Sequence, residues 1–131
     1  MTKHILVVDD NPGSRARIQE VLTAAGMSVV TADNGMQALL AAKSNKFDGV
    51  VTDQVMPMMD GCHLCRMLRE IPAFKQVPII LLTTEAGPAF QEEMEECGVP
   101  VWMEKPLTEQ KLALIAAEML HPSVATKTKA A

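Results

Sequence analysis

The chain lacks the features that mark several common classes of protein. Its uninterrupted apolar runs reach about six residues, whereas a helix that crosses a membrane needs about 20. Its three cysteines have no disulfide-framework spacing, so reduced thiols in a cytosolic compartment are expected. A net charge of -4 gives no reason to expect direct binding to nucleic acid. The sequence contains neither G-x-x-x-x-G-K-S/T nor G-x-G-x-x-G, so no nucleotide-binding loop is predicted.

The length of 131 residues fits one domain. Met1 to His4 lead directly into an apolar run without a cleavage-site pattern, so no secretory signal is expected. We predict a single domain over residues 1–121. Residues 122–131 contain Pro122 followed by small, polar and lysine residues. This segment is therefore predicted to be a flexible C-terminal tail or the stub of a linker.

Apolar runs typical of strands alternate with segments of helical periodicity. The predicted strands are residues 5–8, 29–31, 49–52, 79–82 and 101–103. Between the first two, Ile18, Val21, Leu22 and Ala25 follow the i, i+3, i+4, i+7 spacing of a helix. Five strands alternating with five helices predict a parallel sheet that is covered on both faces. The unbroken valine and isoleucine runs agree, because such strands are buried on both sides.

Polar residues follow four of the five predicted strands. They are Asp9 and Asp10 after the first strand, Asp53 after the third, Thr83 and Thr84 after the fourth, and Glu104 and Lys105 after the fifth. Taken singly, each has an ordinary interpretation as a helix cap, a strand-end hydroxyl or a solvated charge. Functional sites in open parallel sheets lie beyond the carboxyl ends of the strands. The combination therefore predicts one shared site.

Three neighbouring carboxylates require a compensating cation. Each close pair repels by about 4 kcal/mol at an effective dielectric constant near 20, and the repulsion raises the carboxyl pKa values unless a cation lies among them. Oxygen ligands at an open site favour Mg²⁺. With a lysine and a hydroxyl nearby, such a site is suited to phosphoryl transfer onto a carboxylate.

Four segments resemble the landmarks of the receiver domain of two-component response regulators, including the chemotaxis regulators. The segments are ILVVDDNPGSR, VVTDQVMPMMDG, PIILLTTEA and VWMEKP, and the resemblance covers roughly residues 3–120. It implies a flavodoxin-like (βα)5 fold, a doubly wound parallel five-stranded sheet with strand order 2-1-3-4-5. It also implies a phosphorelay function in signal transduction.

The resemblance assigns a phosphoacceptor and a metal site. Asp53 would accept a phosphoryl group from a sensor histidine kinase or a histidine phosphotransfer protein. Asp10 and Asp53 would bind Mg²⁺ directly, Asp9 would assist through water, and the backbone carbonyl of Val55 would be a further ligand. Mn²⁺ is expected to substitute for Mg²⁺. Val55, with Glu85, also stands where the family controls the lifetime of the phosphoryl group.

The resemblance also assigns the switch. Thr83 would donate a hydrogen bond to the phosphoryl group, Lys105 would pair with it, and the peptide before Pro106 would be cis. Trp102 stands where the family usually has tyrosine, phenylalanine or histidine as the aromatic switch residue. On phosphorylation, Thr83 would move inward and the aromatic side chain would follow.

The expected output is contact with a downstream partner or output domain. The resemblance places this contact on the face formed by the fourth helix, the fifth strand and the fifth helix. The fourth helix carries Glu92, Glu93, Glu95 and Glu96, which are ordinarily a solvated face and alternatively a surface for a basic partner. The protein is expected to be cytoplasmic, without membrane contact, as a monomer or a phosphorylation-dependent dimer. It would catalyse at most its own phosphorylation and dephosphorylation.

Two other functions are considered. A magnesium phosphatase of the haloacid dehalogenase type also uses a strand-end aspartate, but it needs a second aspartate two residues later, where Val55 stands. An interaction module that is not phosphorylated usually lacks part of the acid, threonine and lysine set, whereas this chain has all of it. The function predicted is therefore a phosphoacceptor switch.

Cys62 and Cys65 form a C-x-x-C pair with His63 between them. Redox or metal chemistry is one interpretation. The other is two small side chains one helical turn apart, which is favoured because the sequence offers no second pair of ligands.

Overall fold

In the part of the chain that the structure describes, six parallel strands form one sheet in the order β2-β1-β3-β4-β5-β6. The computed structural model describes residues 2–98, 101–122 and 128–130. The strands are β1 His4–Val8, β2 Ser28–Ala32, β3 Gly49–Asp53, β4 Ile79–Thr83, β5 Val101–Glu104 and β6 Thr128–Ala130. The first five confirm the predicted order 2-1-3-4-5, and each lies within two residues of its predicted bounds.

The sixth strand was not predicted. Its backbone pairs in parallel with β5, with Val101 aligned to Thr128 and Met103 to Ala130. Thr-Lys-Ala has neither an apolar run nor a period-two pattern, so no local signal indicates a strand there. Residues 123–127 and 131 lie outside the described residues. The boundary at residue 121 and the flexibility of the tail therefore stay predictions.

Among the described residues, five α-helices connect and cover the strands. They are α1 Pro12–Ala24, α2 Gly35–Ser44, α3 Gly61–Arg69, α4 Pro88–Cys97 and α5 Glu109–Leu120, with a short 3-10 helix at Pro72–Phe74. The side chains of Asn11, Asn34, Asp60 and Thr108 each accept a hydrogen bond from a backbone N–H in the first turn of the helix that follows. These caps satisfy donors that the helix itself leaves unpaired, and so set where four of the helices begin.

The end of α4 also follows from its sequence. Gly98 adopts a left-handed conformation with φ of 75° at the C-terminus of the helix, which glycine adopts without steric cost. In the part of the chain that the structure describes, no helix is both long and apolar enough to cross a membrane.

The hydrophobic core consists of two layers, one on each face of the sheet. Successive residues of β1 alternate between them: Leu6 joins the layer beneath α2, α3 and α4, whereas Ile5 joins the layer beneath α1 and α5. Both faces are thus covered, which explains the unbroken apolar runs. Because all strands are parallel, their carboxyl ends meet at one edge of the sheet.

Candidate functional site at the carboxyl edge of the sheet

Three carboxylates meet at this edge. Asp9 and Asp10 directly follow β1, and Asp53 is the last residue of β3. Ligand atoms of the three side chains lie within 4.8 Å of one another. Asp9 is completely buried and Asp53 is 7% exposed, while Asp10 faces solvent. The structure therefore brings together the three acids that the sequence predicted, with one open side.

Lys105 joins this cluster from β5. Its ammonium lies 3.0 Å from Oδ1 of Asp53 and 3.1 Å from Oδ2 of Asp9. The backbone N–H of Lys105 donates to the carbonyl of Thr83 at 2.7 Å, which ties this loop to the end of β4. The peptide between Lys105 and Pro106 is cis. Residues at the ends of β1, β3 and β5 thus meet in one cluster, and Thr83 at the end of β4 is tied to it through the backbone of Lys105.

Asp9 and Asp10 differ in what they can still bind. One oxygen of Asp9 accepts from the backbone N–H of Asn11 at 2.9 Å, and the other contacts Lys105. Arg15 also donates to the carbonyl oxygen of Asp9 at 2.8 Å, so this residue is held from several sides. Asp9 is therefore committed to organising the site, whereas the exposed carboxylate of Asp10 is accessible to an incoming cation.

Burial governs the ionisation of the central pair. Burial raises the pKa of the Asp53 carboxyl, the Lys105 ammonium opposes this rise, and Asp9 and Asp10 add to it. Burial alone would lower the pKa of Lys105, but its hydrogen bonds and ion pairs with Asp53 and Asp9 outweigh that effect and raise it. Lys105 is therefore protonated at neutral pH and supplies the fixed positive charge of the site.

The donor set fits a magnesium ion. When all groups are ionised, three carboxylates against one ammonium leave two negative charges in excess. All the converging donors are oxygens, and Asp10 leaves one side open to water. This matches the preference of Mg²⁺ for one or two carboxylates together with retained waters.

Thr83 and Trp102 occupy the two strands next to β3 on this side of the sheet, β4 and β5. Thr83 ends β4, is 1% exposed, and its hydroxyl accepts a hydrogen bond from the backbone N–H of Glu85 at 3.0 Å. Trp102 is buried in β5 and meets the ring of Phe90 edge-on, with centroids 4.9 Å apart. Thr83 and Phe90 both line a surface cavity of about 560 Å³, which Val55 also borders. Phe90 of α4 thus shares the cavity with Thr83 and packs against Trp102, so it neighbours both predicted switch residues.

The loop from 54 to 60 turns sharply beneath the site. Met58 has a positive φ of 70°, which is uncommon for a side chain other than glycine, asparagine or aspartate. The N–H of Gly61 donates to the carbonyl of Gln54 at 2.9 Å. A Cβ at Gly61 would lie 2.6 Å from the carbonyl oxygen of Asp53, so only glycine permits this approach.

Sequence reasoning overlooked Gln54. Its side chain is almost completely buried and bonds to α3 and to α4. A long polar amide between a strand-end acid and Val55 was a usable signal, because a buried amide requires partners.

The three cysteines are packed in the core. Cys62, Cys65 and Cys97 are buried between α3 and α4. Burial raises the pKa of Cys62 to about 12, with a smaller contribution from a hydrogen bond to Cys97, and burial also raises the pKa of Cys65. Because the thiolate is the form that reacts and binds metals, these residues favour the packing interpretation.

Comparison with known proteins gives one consistent family. The chain matches the response regulator receiver domain family over residues 5–117. It is 34% identical to the gliding motility regulatory protein of Myxococcus xanthus, over 77% of this chain and 13% of that protein. The structure of the chemotaxis response regulator CheY4 of Vibrio cholerae is 31% identical, with a TM-score of 0.84, covering 91% of this chain and 99% of that one.

A metal-bound structure is also similar. It is the receiver domain of a sensor histidine kinase from Pseudomonas aeruginosa, solved with a magnesium ion coordinated in its active site cleft. Its identity is 28% and its TM-score 0.80, covering 92% of this chain and 98% of that one. Several curated relatives are much longer, and the chain spans only 12 to 13% of their length.

The fold and the acidic edge define a class of flavodoxin-like α/β proteins with a cation site beside a strand-end aspartate. Within that class, the chain belongs to the receiver domain family of two-component response regulators. Members of this family are generally not enzymes. Nothing in the comparisons supports the phosphatase alternative.

Gly61→Ala is expected to lower the free energy of unfolding by about 1–3 kcal/mol, because the added methyl must displace the backbone at Asp53. Urea denaturation measures the change. Gly87→Ala is the matched control, since a Cβ there meets no atom within 4 Å. Equal stability of the Gly61 and Gly87 variants would contradict the argument.

Asp53→Asn is expected to stabilise the metal-free protein at neutral pH. The pKa of Asp53 is raised above 3.8 in the folded chain, so its contribution to stability is present below about pH 3.8 and lost as the pH rises through the folded pKa. The variant should therefore gain stability relative to wild type across that window. Urea denaturation in chelator at several pH values measures the gain. Glu95→Gln, which alters an exposed carboxylate, is the control, and a pH-independent difference at Asp53 would refute the prediction.

Proposed function

We propose that Asp53 accepts a phosphoryl group from a phosphohistidine of a sensor histidine kinase or a histidine phosphotransfer protein. The observation that carries the proposal is the position of the Asp53 carboxylate, between the Lys105 ammonium at 3.0 Å and the acids Asp9 and Asp10. An oxygen of Asp53 attacks phosphorus, the P–N bond to the imidazole breaks, and its electron pair returns to the ring nitrogen. The product is an acyl phosphate on Asp53.

The proposed metal set combines the cluster of three acids with the resemblance to receiver domains. Asp10, Asp53 and the backbone carbonyl of Val55 would hold Mg²⁺ directly, with Asp9 acting through water, and Mn²⁺ would substitute. When bound, the cation supplies positive charge that stabilises the phosphoryl oxygens. Lys105 provides a second positive charge that does not depend on the metal, because its raised pKa keeps it protonated.

Phosphorylation then drives the switch. The phosphoryl group brings a charge of about -2, and its oxygens compete for the Lys105 ammonium and the Thr83 hydroxyl. In this structure the Thr83 hydroxyl oxygen accepts a hydrogen bond from the N–H of Glu85. The hydroxyl proton itself therefore stays available to be donated to the phosphoryl group. Movement of Thr83 toward Asp53 changes the wall of the cavity that reaches Phe90, against which Trp102 packs.

The output follows from this rearrangement. The altered surface comprises α4, β5 and α5, and we assign it the binding of a downstream partner or output domain. The protein would act in the cytoplasm as a monomer or a phosphorylation-dependent dimer, without direct contact with nucleic acid or membrane. Its only catalysis would be its own phosphorylation and dephosphorylation.

Beryllium fluoride, which imitates a phosphoryl group on a carboxylate, tests the proposal. With Mg²⁺ present it should change the fluorescence of Trp102, the single tryptophan of the chain, because the ring moves relative to Phe90. The change should disappear in Asp53→Asn and when Mg²⁺ is omitted. An equal response in wild type and Asp53→Asn would remove Asp53 from the mechanism.

Val55→Asn is expected to shorten the lifetime of the acyl phosphate. Val55 is 58% exposed at the mouth of the cavity and offers no side-chain hydrogen bond to orient a hydrolytic water. An asparagine amide supplies one. Decay is measured after phosphorylation with a small acyl phosphate, with Val55→Leu as the apolar control. Faster decay in wild type than in Val55→Asn would refute the prediction.

A further inference from the structure

The buried amide of Gln54 joins two helices to the strand that carries the phosphoacceptor. Its side-chain oxygen accepts from the N–H of Cys62 in the first turn of α3 at 2.8 Å. Its side-chain nitrogen donates to Oε1 of Glu93 on α4 at 2.9 Å. Its backbone N–H donates to the carbonyl of Leu82 at 2.7 Å. One residue thus contacts β4, α3 and α4, immediately after Asp53 in the chain.

The contact with α4 is not explained by the start of α3. Asp60 already caps that helix through the N–H of His63, and the oxygen of Gln54 satisfies one further N–H. The amide nitrogen is free to point elsewhere, yet it reaches 39 positions along the chain to Glu93. Glu93 is exposed and would be hydrated without this bond. The bond therefore constrains α4 relative to the loop after β3.

The same part of α4 contacts the aromatic switch. Phe90 lies three residues before Glu93, on the same side of the helix, and holds Trp102 edge-on. Gln54, Thr83, Phe90 and Glu93 all line the cavity of about 560 Å³. A displacement of Thr83 and Trp102 that moves α4 relative to the loop after β3 would lengthen or break the bond between Gln54 and Glu93.

We infer that Gln54 is a positioning residue whose hydrogen bond to Glu93 latches α4 in the unphosphorylated arrangement and opposes the switch. The inference rests on the proposed function. A contact made in only one of two states shifts the population toward that state. By linkage, the same contact weakens, by the same factor, the binding of any ligand that selects the other state. The hydrogen bond therefore sets the binding free energy that the phosphoryl group must supply before α4 shifts to the other arrangement.

The experiment compares Glu93→Ala, which removes the bond, with Glu93→Gln, which keeps an acceptor oxygen at the same reach but removes the charge. Beryllium fluoride is titrated with Mg²⁺ present while Trp102 fluorescence is followed. Glu93→Ala should tighten the apparent affinity by about fivefold, the usual range for one hydrogen bond. Glu93→Gln keeps a weaker, uncharged hydrogen bond, so its affinity should lie between those of wild type and Glu93→Ala. Glu95→Ala, which removes a neighbouring charge on α4, is the control and should match wild type.

A second background separates the bond from other effects of the alanine. Gln54→Met fills the same space but cannot donate a hydrogen bond to Glu93, so its affinity for beryllium fluoride should already be raised. Adding Glu93→Ala in this background should change the affinity no further. Urea denaturation of each variant measures stability in parallel. If the bond had a purely structural role, its loss would lower the free energy of unfolding without raising the affinity for beryllium fluoride. That result would overturn the inference.

The remaining outcomes are also decisive. Equal tightening in Glu93→Ala and Glu93→Gln would show that charge alone acts, and would overturn the latch. Unchanged affinity in Glu93→Ala, with a normal wild-type response, would overturn the latch and leave the proposed function intact. Absence of any response in wild type would instead refute the proposed function.

Discussion

The structure of the site depends on the charge balance around a buried carboxylate. Asp53 ends a strand that is covered on both faces, where an isolated negative charge is unfavourable. The ammonium of Lys105 lies within 3.1 Å of both Asp53 and Asp9, but one positive charge cannot offset three carboxylates. The imbalance favours a divalent cation and, in its presence, a phosphoryl group. The excess negative charge that makes burial of these carboxylates unfavourable is thus the same charge that attracts the cation.

The parallel sheet is what makes that balance possible. Each strand delivers its terminal residue to one edge, and the two apolar layers hold the strands in register. Backbone hydrogen bonds continue past the strand ends, where the N–H of Gln54 meets Leu82 and that of Lys105 meets Thr83. The polar residues are therefore fixed by the strands and are not left on independent loops.

The crowded turn after β3 couples the site to its surroundings. Gly61 approaches the carbonyl of Asp53 more closely than any side chain would allow, and this brings the start of α3 against the site. The same crowding buries Gln54, whose amide must find partners and finds one on α4. A steric requirement near Asp53 thus produces a polar contact with a helix on the far side of the cavity.

Much of this protein was determined locally by the sequence. The alternation of apolar runs with helical periodicity and the strand-end acids are short-range patterns, so the strands, the helices and the gathering of Asp9, Asp10, Asp53, Thr83 and Lys105 could be predicted. The strand order came from the resemblance to receiver domains and not from these patterns. Only the tertiary structure decided which groups hold the buried Asp9, the pairing of β6 with β5, and the reach of Gln54 to Glu93. These depend on contacts between residues far apart in the chain, and no local pattern encodes which distant group will complete a buried hydrogen bond.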